Sequence, residues 1–239
     1  MPIKKVFIED IGECTLNISR RSSRIRITIR PFDGIRVNIP YGLSYEHGIR
    51  FVEDKKKWIL KTRERFAAIE KEKTIFLPGK TFQTRFHTLD MVPRNQTGLR
   101  ANIFQKKITV TFPKTVDPED NQVQEFVKQS VIEALRLEAK MALPPRLATL
   151  AKEHGYQYNK VFIKNLKSRW GSCSGRDNIN LNLHLMRLPD ELVDYVLLHE
   201  LVHTVHKDHS AAYWKELNKV TGNKAKRLQA QLREYNVHF

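Results

Sequence analysis

The sequence predicts an α+β protein with a β-rich N-terminal region, residues 1–115, and a more helical region, residues 116–239. Apolar and polar residues alternate over 24–30 and again over 35–40, which is the period of half-buried strands. From residue 121 onwards, apolar residues recur three and four positions apart, as in amphipathic helices. A stretch rich in Pro and Asp separates the two patterns, and we place a domain boundary there.

The N-terminal region is predicted to contain four strands and one helix. The segment 31–34 holds a Pro and an Asp-Gly pair, so the alternating segments on either side are predicted to form a hairpin. Helical spacing of large apolar residues predicts one helix from Glu46 to about Lys73. Two further strands are predicted at 81–89 and 103–112.

The C-terminal region begins with a predicted amphipathic helix over 121–142. We expect Pro144 and Pro145 to interrupt it, and a further helix over 146–154 to end at Gly155. Strands are predicted at 161–163 and 179–183, on either side of a Gly/Ser turn. No internal repeat is evident in the sequence.

Composition excludes several classes of protein. The 239 residues include only two cysteines, too few for a disulfide scaffold or a Cys-based zinc site. The longest apolar runs are four residues, whereas a membrane-spanning helix needs about 20. We therefore expect a cytoplasmic protein with no membrane partner.

The charge is strongly basic. The chain holds 42 Lys+Arg and 26 Asp+Glu, a net charge of +16, and residues 1–115 hold 24 and 11 of these. Such an excess suggests an acidic or nucleic-acid partner for the N-terminal region. The candidate contacts are arginines on the alternating segments, although alternation alone would also place them on a solvated strand face: Arg20, Arg21, Arg24, Arg26, Arg30 and Arg36.

Four of the nine histidines fall between residues 199 and 209. A helix is predicted from Asp190, its expected N-cap, and it carries His199, Glu200 and His203 in the pattern His-Glu-x-x-His. Histidines four apart project from one helix face, so both imidazoles reach one metal ion. Glu200 is rotated by about 100°, so we expect it beside the ion as a general base that activates water.

A catalytic zinc site usually has a third protein ligand. His206 lies two turns beyond His199, about 10.5 Å along a straight helix, so three such histidines would form a line. His209 follows residues where the helix can end and the chain can fold back, and it is therefore favoured. Glu216 is a weaker candidate. The spacing from His203 to His209 equals that of metzincin proteases, but their intervening glycine and downstream methionine turn are missing.

Three segments together resemble a known family. Residues 168–174, residues 179–182 and the His-Glu-x-x-His segment with His209 and Trp214 resemble the YgjP-like metallopeptidase-domain family, which is related to the SprT-type zincins. The resemblance covers most of the chain and is most specific in the second half.

The resemblance implies a zincin-like metallohydrolase domain with an active-site helix and bound Zn²⁺. It implies that His199, His203 and His209 are the metal ligands and that Glu200 is the catalytic base. The implied activity is peptide hydrolysis, while some members are described as UTP pyrophosphatases. The basic N-terminal region supports a hypothesis of another class, which does not depend on the resemblance: a nucleic-acid-binding module with an accessory zinc site.

Two features near this site are open to two interpretations. Residues 170–174 either edge the active-site cleft or form a tight turn anchored by a buried tryptophan. Tyr213 is either a core residue or an oxyanion-stabilising group. Cys173 is predicted to be a buried structural thiol.

Overall fold

The computed structural model describes residues 3–30, 34–71 and 74–237. Its mixed sheets and helices, with a β-rich N-terminal region, confirm the predicted α+β class. The chain divides into two compact units, Met1–Thr74 and Ile75–Phe239. Within the described residues, no helix combines the length and the apolar character needed to cross a membrane.

The division at 74/75 corrects the predicted boundary at 115/116. Strand residues such as Leu89, Met91 and Val110 share one buried core with the long helix that follows them, so the strands of 82–113 belong to the second unit. The charge is divided accordingly: residues 1–74 hold 17 Lys+Arg and 10 Asp+Glu, and residues 75–239 hold 25 and 16. The basic excess is therefore shared by both units.

The first unit is one sheet with two helices: β1 (Ile3–Ile8), β2 (Gly12–Ser19), β3 (Arg26–Arg30), β4 (Gly34–Pro40), α1 (Tyr45–Asp54) and α2 (Lys56–Lys71). The strand order is β1-β2-β4-β3, with β2 and β4 parallel and the outer pairs antiparallel. Antiparallel pairing of β3 and β4 confirms the predicted hairpin, whose turn residues 31–33 lie outside the described residues. The single predicted helix is divided in two, because Lys55 leaves the helical conformation.

The second unit opens with the same sheet pattern: β5 (Phe82–Gln83), β6 (Thr88–Arg94), β7 (Arg100–Phe104) and β8 (Lys107–Pro113). Their order is β5-β6-β8-β7, again with a parallel inner pair and antiparallel outer pairs. The two sheets therefore repeat one topology. The repeat is not evident in the sequence, because a buried strand face requires apolar residues but not particular ones. The buried residues are Ile35, Val37 and Ile39 in β4 and Ile108, Val110 and Phe112 in β8.

A single helix, α3 (Asn121–His154), follows the second sheet and continues through Pro144 and Pro145. This contradicts the predicted interruption. Leu143 and Leu147 are buried on either side of the prolines, and their packing in the core holds the helix together. Gly155 ends α3 in the left-handed conformation, with φ of 73°, as predicted.

The remaining elements of the second unit are β9 (Val161–Lys164), β10 (Gly171–Cys173), β11 (Ile179–Asn182), a short 3₁₀ helix (Leu183–Arg187), the histidine-rich helix α4 (Asp190–Val205), α5 (Ala211–Val220) and α6 (Ala225–Leu232). The sheet order is β10-β11-β9, which leaves β10 at an edge. Helix α4 is buried along most of its length. Its N-cap is Pro189 rather than Asp190, whose carboxylate instead pairs with Arg85.

Candidate metal centre

Three predicted histidines converge in the second unit. His199 and His203 project from one face of α4, and His209 lies in the segment between α4 and α5. One ring nitrogen of each lies within 4.8 Å of the others, and the Nε2 atoms of His199 and His209 are 3.5 Å apart. The convergence arises because α4 ends at Val205 and His206 takes an extended conformation, which turns the chain back.

The other ring nitrogens of the two helix histidines are held by oxygen atoms. His203 Nδ1 lies 2.9 Å from the carbonyl oxygen of His206, which only accepts hydrogen bonds, so Nδ1 carries the proton. His199 Nδ1 lies 2.6 Å from the hydroxyl oxygen of Tyr213. These contacts direct both Nε2 atoms toward the common centre, as is usual for metal-ligating histidines.

Burial keeps these imidazoles neutral. It lowers the pKa of His199 to about 3, and the neighbouring His203 and His209 contribute in the same direction. Burial also lowers the pKa of His203. Neutral imidazole is the form that binds a metal.

The alternative third ligands lie outside this group. His206 contributes its backbone carbonyl to His203 rather than a ring nitrogen to the cluster. Glu216 accepts a hydrogen bond of 2.9 Å from the Tyr156 hydroxyl. Among the described residues, the histidine cluster contains no carboxylate.

Glu200 is a buried carboxylate that shares a cleft with the three histidines. Its Oε2 atom has no hydrogen-bond partner among the described residues. Burial raises the pKa of Glu200 to about 8, against the opposing effect of Arg169. A carboxyl group with a pKa in this range exchanges protons near neutral pH. It accepts a proton from water only in its ionised form, which a cation bound at the nearby histidines would favour.

The edge strand β10 passes directly beside Glu200. A Cβ atom added to Gly171 would lie 2.6 Å from Oε1 and less than 3 Å from Cγ and Cδ of Glu200, so only glycine fits there without displacement. The cleft has a volume of about 480 Å³ and includes all three residues of β10 in its lining. Residues 170–174 therefore edge the cleft, as the first interpretation predicts. The second interpretation is wrong, because residues 171–173 form a strand rather than a tight turn and Trp170 is only partly buried.

Asn182 is an organising residue whose role was not predicted, although it belongs to the segment 179–182 that was named from the sequence. Its fully buried side chain donates to the backbone carbonyls of Leu166 and Arg169, and it accepts from the backbone N–H groups of Leu166 and His184. It thereby fixes the segment leading into β10. A lone asparagine at the end of a strand carries no sequence signal for this role.

The structure also locates the remaining residues singled out from the sequence. Tyr213 is fully buried with its hydroxyl on His199, so it is a core residue that orients an imidazole rather than an oxyanion-binding group. Cys173 is only partly buried and lines the cleft, which corrects the predicted buried position, and partial burial raises the pKa of its thiol.

Replacing Tyr213 by phenylalanine is expected to weaken metal binding by about 10–100-fold, because the partner of His199 Nδ1 is lost while the ring stays packed. Competition with a chromogenic chelator measures the affinity. Tyr156→Phe is the matched control, since its hydroxyl bonds to Glu216 outside the histidine cluster. Equal metal affinity in both variants would show that the Tyr213 hydroxyl does not orient His199.

Known proteins similar to this chain include one family and two solved structures. The family model described as YgjP-like, metallopeptidase domain, matches residues 23–235. The crystal structure of the metallopeptidase zymogen abylysin from Pyrococcus abyssi is 28% identical in sequence, with a TM-score of 0.35, over 38% of this chain and 90% of that chain. The zymogen jannalysin from Methanocaldococcus jannaschii is 21% identical, with a TM-score of 0.34, over 38% and 92%. No curated protein matches the sequence significantly.

Proposed function

Since the chain belongs to the YgjP-like metallopeptidase domain family and is therefore a metal-dependent hydrolase, we propose that its metal is zinc and that it hydrolyses peptides. We assign His199, His203 and His209 as ligands and Glu200 as general base. The observation that carries the proposal is the convergence of three imidazoles in a cleft that also contains a buried carboxylate.

The donor set fits zinc. Three imidazole nitrogens leave a position for water, which is the arrangement of a catalytic zinc site. Magnesium and calcium prefer oxygen ligands, and the cluster offers none among the described residues. When bound, zinc supplies a Lewis acid and lowers the pKa of a water molecule to about 7.

Glu200 performs the proton transfer in this proposal. Its position on α4, one residue after His199, places it beside the ligands rather than among them. The unpaired Oε2 atom accepts a proton from the attacking water and returns it to the leaving amine. Contact with Gly171 limits the rotamers open to the side chain and so holds the carboxylate at the cleft.

The edge strand favours peptides over nucleotides as substrates. Within the described residues β10 pairs only with β11, and all three of its residues line the cleft. An extended peptide can add to such an edge through backbone hydrogen bonds. Arg169 and Lys207 also line the cleft and could bind phosphates, so nucleotide (UTP) hydrolysis is the second candidate.

Replacing His209 by alanine is expected to weaken metal binding by more than about 100-fold, because loss of a ligand exceeds the effect of losing a residue that only orients one. Elemental analysis and chelator competition measure the change. His206→Ala is the matched control, since alanine keeps the backbone carbonyl that His203 uses. Loss of metal from the control variant, with retention in His209→Ala, would overturn the ligand assignment.

The substrate is tested by assaying the zinc-loaded protein on a quenched peptide library and on UTP. Cleavage of peptides, abolished in Glu200→Gln, supports the proposal. Cleavage of UTP alone, with the same dependence on Glu200, would assign the site to nucleotide hydrolysis instead.

A further inference from the structure

The first sheet has one face that packs on the core and one that faces away from it. Core residues of β2 and β4 alternate with outward residues, so the outward side forms a continuous surface. We call it the open face. Its described residues are Ile3, Lys5, Phe7, Glu13, Thr15, Asn17, Arg26, Thr28, Gly34, Arg36 and Asn38.

Uncompensated positive charge lies on and beside the open face. Residues 14–44 contain six arginines and a single acidic residue, Asp33. Arg26 and Arg36 are exposed, and neither has a carboxylate partner among the described residues. By contrast, Lys5 on the outer strand is paired with Glu13 at 2.9 Å. The positive charge is therefore concentrated on β3 and β4.

Amide groups and aromatic rings accompany this charge. Asn17 and Asn38 lie side by side on the two central strands, joined by a hydrogen bond of 3.2 Å. Phe7 is 81% exposed on the outer strand. Where β4 ends, Tyr41 is 67% exposed, and its ring lies 4.9 Å from the guanidinium carbon of Arg20.

We propose that the open face binds single-stranded nucleic acid. Guanidinium groups bind phosphates, exposed rings stack on bases, and amides bond to base edges or sugars. An exposed sheet face with aromatic residues suits unpaired bases, which lie flat on it, better than a duplex.

The second sheet shows that strand geometry alone does not require these residues. The parallel inner pair of strands ends at Ser19–Pro40 in the first sheet and at Arg94–Pro113 in the second. Two and four residues before these ends, each sheet has a row of two paired residues on its outward side, and the rows of the two sheets are equivalent. In the first sheet the rows are Asn17–Asn38 and Thr15–Arg36, and in the second they are Val92–Thr111 and Asp90–Thr109. The second sheet thus lacks the amide pair and has an acidic residue in the row where the first has Arg36.

The test uses the full-length protein and fluorescein-labelled oligonucleotides of about 15 nucleotides, with fluorescence anisotropy as the readout. Single-stranded RNA and DNA are compared with a duplex, in the presence of a chelator. For about four phosphate contacts, affinity for a single strand is expected to fall roughly fiftyfold between about 50 and 200 mM salt. Preference for the duplex, or equal binding to polyglutamate or anionic vesicles, would overturn the proposal.

Paired variants localise the interaction. Arg26→Gln combined with Arg36→Gln is expected to reduce affinity about tenfold or more and to lower the salt slope by about 1.4, or about 0.7 for each phosphate contact. The matched control, Arg100→Gln with Lys107→Gln, removes the same charge from exposed positions of the second sheet and is expected to change little. Equal weakening by both pairs would show that binding follows net charge rather than the open face.

A separate variant tests base stacking without changing charge. Phe7→Ala is expected to reduce affinity about fivefold or more while leaving the salt slope unchanged. Circular dichroism confirms that each variant is folded. Unchanged affinity in Phe7→Ala, together with unchanged affinity in Tyr41→Ala, would contradict the proposed contact with bases.

Discussion

Replacing Glu200 by glutamine is expected to lower the rate of peptide hydrolysis by about 10²–10⁴-fold, the range for loss of a general base. Glutamine has nearly the same shape, so it fits beside Gly171, but its amide cannot accept the proton of the attacking water. The histidines are unchanged, so metal content is expected to stay at the level of the unmodified protein. Turnover on a quenched peptide and elemental analysis measure the two quantities.

Glu191→Gln is the matched control for this experiment. Glu191 lies on the same helix as Glu200 but is exposed near its N-terminus, where it pairs with Arg227 at 2.7 Å. The control variant is expected to retain full activity. If Glu200→Gln hydrolyses peptides as fast as the unmodified protein, the general-base assignment is wrong.

Replacing Gly171 by alanine is expected to lower turnover by about 100-fold, the typical effect of displacing a catalytic group by roughly 1 Å. The added methyl group would overlap the Glu200 side chain, which is buried and must rotate to relieve the contact. Metal affinity is expected to stay unchanged, because no histidine atom lies among the nearest neighbours of that position. Steady-state kinetics and chelator competition provide the comparison.

Two controls separate this effect from a general weakening of the fold. Gly175→Ala changes a glycine in the connection between β10 and β11, where a Cβ would meet no atom within 4 Å, and it is expected to be silent. The double variant Gly171→Ala with Glu200→Gln is expected to be no slower than Glu200→Gln alone. A further loss in the double variant would mean that Gly171 acts through something other than Glu200.

The sequence predicted local structure well where side-chain periodicity decides it. The strict alternation of 24–30 and 35–40 gave a hairpin that the structure confirms. Neither β2 nor its parallel pairing with β4 was predicted, because pairing between strands that are not consecutive leaves no local pattern in the sequence. The predicted interruption of the helix at Pro144 and Pro145 was wrong, because a prediction from local sequence does not include the core contacts that keep α3 continuous.

The residues of the candidate site could be predicted from the sequence, but the contacts that support them could not. Spacing along one helix indicated His199 and His203, and the need for a ligand from another segment indicated His209, which the structure brings to the same cluster. The roles of these residues stay predictions until metal and activity are measured. The roles of Gly171 and Asn182 depend on contacts between distant segments. The sequence indicated these residues only as members of the segments 168–174 and 179–182, which resemble the family.

The two prolines make the bending stiffness of α3 uneven along its length. Proline has no amide hydrogen, so the carbonyls of Lys140 and Met141, both on exposed residues, lack their usual helical partners. The helix therefore bends most easily at this step. Arg146, directly after the step, donates two hydrogen bonds to Asp194 of α4, at 2.8 and 2.6 Å. This ion pair therefore joins the segment of α3 that follows the prolines to the helix that carries His199 and His203.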